Sequence, residues 1–146
     1  MNKASFVQRL VAWLVDQAIL LIIHLLVVFV FGLLSGVYNA LDIQAPIPIL
    51  SLGVTVFALV LSLEHFLYFG YFWSRRERSI GMGLMNIRVI VKADQHSLSF
   101  LIAGLRGSVG YYLSGLVFGL GYLWFFFDKR RETWHDKVFN TAVLKG

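Results

Sequence analysis

The chain has 146 residues, of which 58% are hydrophobic and only 14% are charged. Soluble domains average about 45–50% apolar and about 25% charged residues, so this composition excludes an ordinary soluble domain and favours a membrane protein. The net charge is +5, but Lys and Arg residues separate long apolar runs instead of covering a polar face, which excludes a typical nucleic-acid-binding protein.

The first apolar run covers residues 10–34, and its only strongly polar residues are Asp16, Gln17 and His24. A helix of this length rises about 37 Å, enough to cross a hydrocarbon core of about 30 Å with some tilt. The run is longer than the core of a typical signal peptide, it contains an acid, and no convincing cleavage site follows it. We therefore predict a retained transmembrane helix.

The second apolar run covers residues 47–73 and follows a short loop that carries one acid, Asp42, and no base. It contains Glu64 and ends in aromatic residues typical of a membrane interface, after which Arg75 and Arg76 follow directly. The positive-inside rule places this basic end and the N-terminus in the cytoplasm, and the Asp42 loop outside. We predict a second full crossing, with Arg75 and Arg76 in contact with anionic phospholipid headgroups.

Residues 74–98 form a polar cytoplasmic loop in this topology. Within the loop, residues 86–92 alternate in side-chain character and are rich in β-branched residues, which predicts a short strand. Residues 141–144, near the C-terminus, are a second candidate strand. We predict that the two strands pair on the cytoplasmic face.

The third apolar run, which includes residues 99–127, contains six glycines and is interrupted by Arg106. Two of the glycines, Gly115 and Gly119, are four residues apart, a spacing that permits close helix contact. A single crossing would place the basic tail, residues 128–146, outside, against the positive-inside rule. Two short helices, about 99–112 and 114–127, would return the tail to the cytoplasm, but each rises only about 21 Å, too little for a full span. We favour a re-entrant or shallow hairpin with Arg106 near the interface, and a single crossing is the alternative.

Five short motifs follow one another along most of the chain: Arg9 with Asp16, Ser79–Gly81 with Ile87–Val89, Arg106, residues 123–136, and Thr141–Val143. In this order they resemble the motifs of the RDD family of small bacterial and archaeal inner-membrane proteins, named for an arginine and two aspartates. The loop lysine and the second loop glycine of the family are replaced here by Met82 and Asn86. The resemblance implies the fold and the location more firmly than an activity; a minority of members have been linked to cation–proton exchange.

Three charged residues lie within the predicted membrane segments, Asp16, Glu64 and Arg106, and Arg9 directly precedes the first segment. An ionised carboxylate in the middle of a bilayer costs at least about 2.5–3.5 kcal/mol, so such a group usually faces the bundle and has a partner. One interpretation is that Asp16 and Glu64, at similar depth on neighbouring helices, share a proton or bind a cation. The other, which we favour, is a structural ion pair, with Arg106 as one candidate partner of Asp16.

The tail carries a motif of Asp128, His135 and Asp136 next to a basic run that includes Arg130 and Arg131. Adjacent residues rarely form a catalytic dyad, and no serine or cysteine nucleophile is marked nearby, so we predict no enzymatic activity. We expect His135 or Asp136 to bond a basic side chain or the backbone, and Arg130 and Arg131 to contact anionic lipid. With no cysteine and four scattered histidines, we expect neither a metal nor a cofactor.

We therefore expect one all-α membrane domain over residues 1–146, with two full transmembrane helices, a Gly-rich short-helix hairpin and a small cytoplasmic strand pair. It would reside in the inner membrane with both termini in the cytoplasm. Its expected partners are the bilayer, anionic phospholipids, and a second copy or another membrane protein, but no nucleic acid. We favour a non-catalytic membrane subunit or accessory protein, and the alternative is cation–proton transport through Asp16 and Glu64.

Overall fold

The structure, a computed structural model, describes residues 2–41 and 47–146, and the side chains of these except at residues 39, 47–52, 58, 61 and 62. The chain is mostly helical, with a small two-stranded sheet. The predicted outer loop around Asp42 lies outside the described residues.

The first helix, α1, runs from Phe6 to Ala40 and begins four residues before the predicted apolar run. Its start is fixed by a reciprocal cap, because the Ser5 hydroxyl accepts from the Gln8 amide while the Gln8 side chain accepts from the Ser5 amide. The stretch Phe6–Tyr38 is long and apolar enough to cross a membrane, and little of it is buried inside the protein. Exposed apolar side chains over such a length are typical of a lipid-facing helix.

The second helix, α2, runs from Ile47 to Arg76. Arg75 and Arg76 occupy its last turn, where cations interact favourably with the helix C-terminus. At this end lie the largest side chains of the apolar core, including Phe69 and Trp73, both fully buried. The core is therefore concentrated where α2 ends and the polar segments begin.

The short helix α3, Ile80–Leu84, and the strand β1, Ile87–Val91, follow α2. Asn86, between them, has a φ of 50°, in the left-handed region. Glycine adopts this conformation without strain and asparagine is the next best tolerated, which explains how asparagine can replace the glycine of the family motif. The Asn86 side chain also donates a hydrogen bond to the carbonyl of Gly146 at 3.3 Å.

The predicted strand pair is confirmed: β1 pairs antiparallel with β2, Thr141–Lys145, with Val89 opposite Val143. The N-terminal segment joins this sheet, since Lys3 forms a β-bridge with Leu144 and the Ala4 amide donates to the Val143 carbonyl. The beginning of the chain, the segment after α2 and the end of the chain therefore meet at one end of the molecule.

The Gly-rich run forms α4, Phe100–Leu105, a π-helical segment, Arg106–Gly110, α5, Tyr111–Gly115, and α6, Leu120–Phe127. The first three join into one helix that meets α6 at 87° across a break at residues 116–119. The break lies slightly later than the predicted one, and the two arms are nearly perpendicular. The last helix, α7, Trp134–Val138, precedes β2.

Glycine brings α4 and the π-helical segment against α2. A Cβ atom on Gly104 would lie 2.6 Å from the ring of Phe66, and one on Gly107 would lie 2.4 Å from Cβ of Phe69. These glycines are therefore needed for the close approach of the two helices.

The sequence suggested a different glycine pair, Gly115 and Gly119, for close helix contact, and this suggestion is wrong. A Cβ atom on either residue would meet no other atom within 4 Å. Gly119 instead has a φ of 76°, which allows the chain to turn before α6. The close contact between α5 and α6 is made by Gly121, where a Cβ atom would lie 2.5 Å from Cα of Ser114.

Candidate functional site: a buried arginine–aspartate cluster

The carboxylate of Asp136 lies at the centre of a buried cluster that joins distant parts of the chain. Its Oδ2 atom accepts a hydrogen bond from Nη1 of Arg9 at 2.6 Å, and its Oδ1 atom accepts one from Nη2 of Arg106 at 2.6 Å. The exposed fraction of the side chain is 0% for Asp136, 1% for Arg106 and 13% for Arg9. Buried charges require such partners, because an unpaired charge away from water is strongly destabilising.

Local structure places Asp136 in this position. Thr133 is the N-cap of α7, and the side chains of Thr133 and Asp136 form a capping box in which Asp136 accepts from the Thr133 amide at 3.3 Å. The Thr141 hydroxyl on β2 accepts from Nε of Arg106 at 2.9 Å. The Arg9 guanidinium reaches the same strand, since Nη2 lies 3.4 Å from the carbonyl of Val143. The cluster therefore ties α1 and the π-helical segment to the tail.

Electrostatics keep this cluster ionised. Burial favours the neutral acid, but the guanidinium groups of Arg106 and Arg9 hold the pKa of Asp136 well below its usual range. Two aromatic rings cover the cations, with Trp73 at 4.5 Å from Arg106 and Phe125 at 5.0 Å from Arg9. Such cation–π contacts offset part of the cost of removing a guanidinium from water.

The neighbouring His135 is buried and neutral. Burial lowers the pKa of its imidazole to about 3. One ring nitrogen lies 2.8 Å from the Ser114 hydroxyl and the other 2.9 Å from the Thr133 hydroxyl, so the ring bridges α5 and α7. The nearest approach to the Asp136 carboxylate is 3.9 Å, beyond hydrogen-bond distance, and both oxygens of that carboxylate are bound to arginines. This geometry does not form a histidine–aspartate dyad.

Asp16, buried in α1, has partners that the sequence analysis did not identify. Its Oδ1 atom accepts from the Tyr68 hydroxyl and from the Gly81 amide, both at 2.8 Å, and its Oδ2 atom accepts from the Ser79 hydroxyl. A Cβ atom on Gly81 would lie 2.0 Å from the carbonyl oxygen of Ala12, so the first turn of α3 fits tightly against α1. Asp16 therefore holds this segment against the first helix.

The suggested pairing of Asp16 with Arg106 is wrong, because Arg106 is bound to Asp136. The structure also does not bring Asp16 and Glu64 together. The Oε2 atom of Glu64 lies 2.6 Å from Nδ1 of His24 on α1. That contact lacks hydrogen-bond geometry, and among the residues that the structure describes neither buried oxygen of Glu64 has a hydrogen-bond partner. Next to this pair, the His65 ring lies 3.2 Å from the Gln17 amide oxygen.

Sequence reasoning missed a second group of tail contacts. Glu132 is buried and forms ion pairs with Lys3 at 3.1 Å and with Lys92 at 2.8 Å. Asp128 pairs with Lys137 at 2.5 Å, and this contact holds the pKa of Asp128 below its usual range. The excess of basic residues at both ends was visible in the sequence, but nothing in it indicated which acid each of them meets.

The four arginines predicted to meet lipid headgroups have exposed side chains: Arg75, Arg76, Arg130 and Arg131. They take no part in the buried Arg9–Asp136–Arg106 cluster, so their guanidinium groups lie at the protein surface. Within residues 2–41 and 47–146, no group of three or more histidine, aspartate or glutamate side chains is arranged to hold a metal ion.

The model of the RDD family matches residues 3–140. The matched range includes Arg9, Asp16, Arg106 and Asp136, which are the residues of the buried cluster and the anchor of α3. No curated protein and no solved structure matches the chain.

Proposed function

Because the chain belongs to the RDD family, we propose that it is a multi-pass inner-membrane protein that acts as a non-catalytic subunit or accessory protein. The observation that carries this proposal is the state of its buried carboxylates. Asp136 is bound by Arg9 and Arg106, and Asp16 accepts three hydrogen bonds from its own chain. Groups with their bonding capacity filled in this way stabilise a fold and leave few sites for a transported ion.

The proposed topology has two full crossings, α1 and α2, with the bent pair α4–α6 re-entering from the cytoplasmic side. It is supported by the meeting of Lys3, β1 and β2 at one end of the molecule. If α1 crosses the membrane, α2 has to return for β1 to reach the N-terminal segment. The bent pair then has to begin and end on that same side, since β2 pairs with β1. The exposed arginines at this end would contact anionic phospholipids.

A second candidate function, cation–proton exchange, is favoured by Glu64 alone. Its carboxylate is buried beside His24, and neither oxygen has a hydrogen bond within the described part of the chain. A carboxylate in this condition is the type of group that takes up a proton in membrane transporters. If it acts in this way, so small a chain would be expected to work as a homo-oligomer.

Ion flux into liposomes distinguishes the two functions. Purified protein would be reconstituted with an internal pH indicator, and proton movement would be followed after sodium or potassium is added outside. We expect no flux above that of protein-free liposomes for the native chain, for Asp16→Asn or for Glu64→Gln, while Asp16→Asn lowers the melting temperature. Cation-dependent proton flux in the native chain that Glu64→Gln abolishes would establish exchange and refute the accessory role.

A further inference from the structure

A cavity of about 330 Å³ lies beside the Arg9–Asp136–Arg106 cluster, and the proposed function does not use it. Its volume is at the lower end of the range of about 300–1,000 Å³ that is typical of small-molecule sites. The walls come from α1, α3, β2 and the segment around the 116–119 break, and they are mainly apolar or aromatic. The main apolar lining residues are Trp13, Met82, Tyr122 and Val143.

One end of the cavity offers hydrogen-bond donors without acceptors. Arg9 and Arg106 both line it, and among the described residues Nε of Arg9 and Nη1 of Arg106 have no hydrogen-bond partner. The two side chains are 13% and 1% exposed, so bulk water contributes little to their hydration. A buried donor without a partner costs about 1–3 kcal/mol, and an acceptor bound in the cavity would remove that cost.

The charge at this end favours an anionic acceptor. Arg9 and Arg106 share one carboxylate, that of Asp136, which leaves one positive charge in excess. The other acid in the lining, Asp16, accepts three hydrogen bonds. It is two helical turns from Arg9, about 10 Å along α1, so it does not neutralise the arginine end by direct contact.

The exposed part of the lining is apolar. Leu10, Phe118 and Leu123 line the cavity and are 41%, 100% and 44% exposed, so they form its mouth. An exposed ring and two exposed leucines are a poor entrance for a hydrated ion but a suitable one for an alkyl chain. In the proposed topology Leu10 lies on α1, Leu123 on α6 and Phe118 in the break before α6, so the mouth opens toward lipid.

We infer that the cavity binds one anionic amphiphile, with a phosphate or carboxylate head on Arg9 and Arg106 and an alkyl chain that leaves past Leu10, Phe118 and Leu123. The lateral entry rests on the proposed membrane topology, whereas the binding itself does not depend on whether the protein transports ions. A lipid and a soluble phosphate present the same anionic head, but only the lipid has an alkyl chain for the apolar walls to hold.

Binding would be measured by native mass spectrometry on the full-length protein in maltoside detergent, with dodecyl phosphate, inorganic phosphate and dodecanol as probes. We expect one dodecyl phosphate to bind per protein molecule, at least about tenfold more tightly than either other probe, because only this probe has both an anionic head and an alkyl chain. Equal binding of inorganic phosphate would show that the alkyl chain contributes nothing. Equal binding of dodecanol would show that the arginines contribute nothing. Either result would overturn the inference.

Two substitutions locate the site. Leu123→Trp narrows the mouth and should weaken binding of dodecyl phosphate by about tenfold or more, while Leu116→Trp, at a 73% exposed position outside the cavity, should leave it unchanged. Arg9→Lys keeps the charge but removes the guanidinium, that is, the Nε donor and the Nη groups that bind Asp136 and Val143. It should weaken binding by at least about tenfold, the effect expected for one hydrogen bond to a charged group. If Leu123→Trp fails to fold, Arg9→Lys decides the question. Native affinity for dodecyl phosphate in folded Leu123→Trp or in Arg9→Lys would overturn the inference, whatever the flux assay shows.

Discussion

The substitution Asp136→Asn tests whether the arginine–aspartate cluster holds the fold together. The amide has nearly the shape of the carboxylate and keeps an oxygen that can cap α7, so the main change is the loss of one negative charge between two buried guanidinium groups. Removing one partner of a buried ion pair typically costs about 3–5 kcal/mol. For a chain of this size each kcal/mol lowers the melting temperature by about 2–4 °C, so we expect a fall of roughly 6–20 °C.

The assay is thermal unfolding in detergent, followed by circular dichroism. The matched control is Asp128→Asn in the same tail, whose partner, Lys137, has a side chain that is 41% exposed. Solvated ion pairs contribute about 0–1 kcal/mol, so the control should melt within a few degrees of the native chain. Combining Asp136→Asn with Arg106→Gln should lower the melting temperature by less than the sum of the two single changes, because the two groups interact directly. A fall for Asp136→Asn no larger than that for Asp128→Asn would refute the reasoning.

Three further predictions concern local contacts, each measured by thermal unfolding in detergent. The folded-state pKa of His135, about 3, lies below the ordinary value of 6.5, so the unfolded chain binds a proton first and stability falls as the pH drops from 6.5 toward 3. We expect His135→Gln to flatten the fall in melting temperature between pH 7.5 and pH 5, and an unchanged slope would contradict a buried neutral imidazole. Gly81→Ala should destabilise the protein severely, because its Cβ atom would lie 2.0 Å from a carbonyl oxygen. Gly83→Ala should be tolerated, because its Cβ atom would approach another atom no closer than 3.8 Å. Similar melting temperatures for the two variants would refute this packing. Asn86→Gly should be nearly neutral and Asn86→Val should cost about 1–2 kcal/mol, since the φ of 50° strains a β-branched residue; equal stability of the two would argue against the left-handed turn.

Features that depend on local composition or side-chain alternation were predictable from the sequence. The apolar run of α1 is recognised by its length and composition, and the strands β1 and β2 by their side-chain pattern. Their pairing was inferred because the predicted topology places both segments on the same side of the membrane. The ends of α1 were missed by several residues, since the reciprocal cap of Ser5 and Gln8 starts the helix earlier than its hydropathy suggests.

The partners of the charged residues could not be predicted, because they depend on contacts between distant segments. Arg9 and Asp136 are separated by 127 positions, and Asp16 and Ser79 by 63. The search for a basic residue within the apolar runs therefore suggested the wrong partner for Asp16, because Arg106 is bound to Asp136. A local signal did exist, since a serine and a glycine two residues apart in the loop motif provide a hydroxyl and an amide that can bind a carboxylate.

The same limit applies to the glycines of the third apolar run. Spacing alone selected Gly115 and Gly119, but the rotation of the helix about its own axis decides which face meets α2. In this rotation Arg106 bonds to Asp136 and Thr141, which belong to the tail. The orientation of the bent helix pair is therefore coupled to residues that follow it in the chain.

The central claim is that the charged cluster and the strand pair gather both termini at the cytoplasmic end of a membrane protein, and the side of the membrane on which Gly146 lies tests it most directly. The chain has no cysteine, so single cysteines can be introduced at Gly36, near the far end of α1, and at Asp94 and Gly146. Intact cells would be treated with a membrane-impermeant maleimide, with permeabilised cells as the reference. We predict that Gly36→Cys is labelled in intact cells and that Asp94→Cys and Gly146→Cys are labelled only after permeabilisation. Labelling of Gly146→Cys in intact cells while Asp94→Cys stays protected would contradict the account.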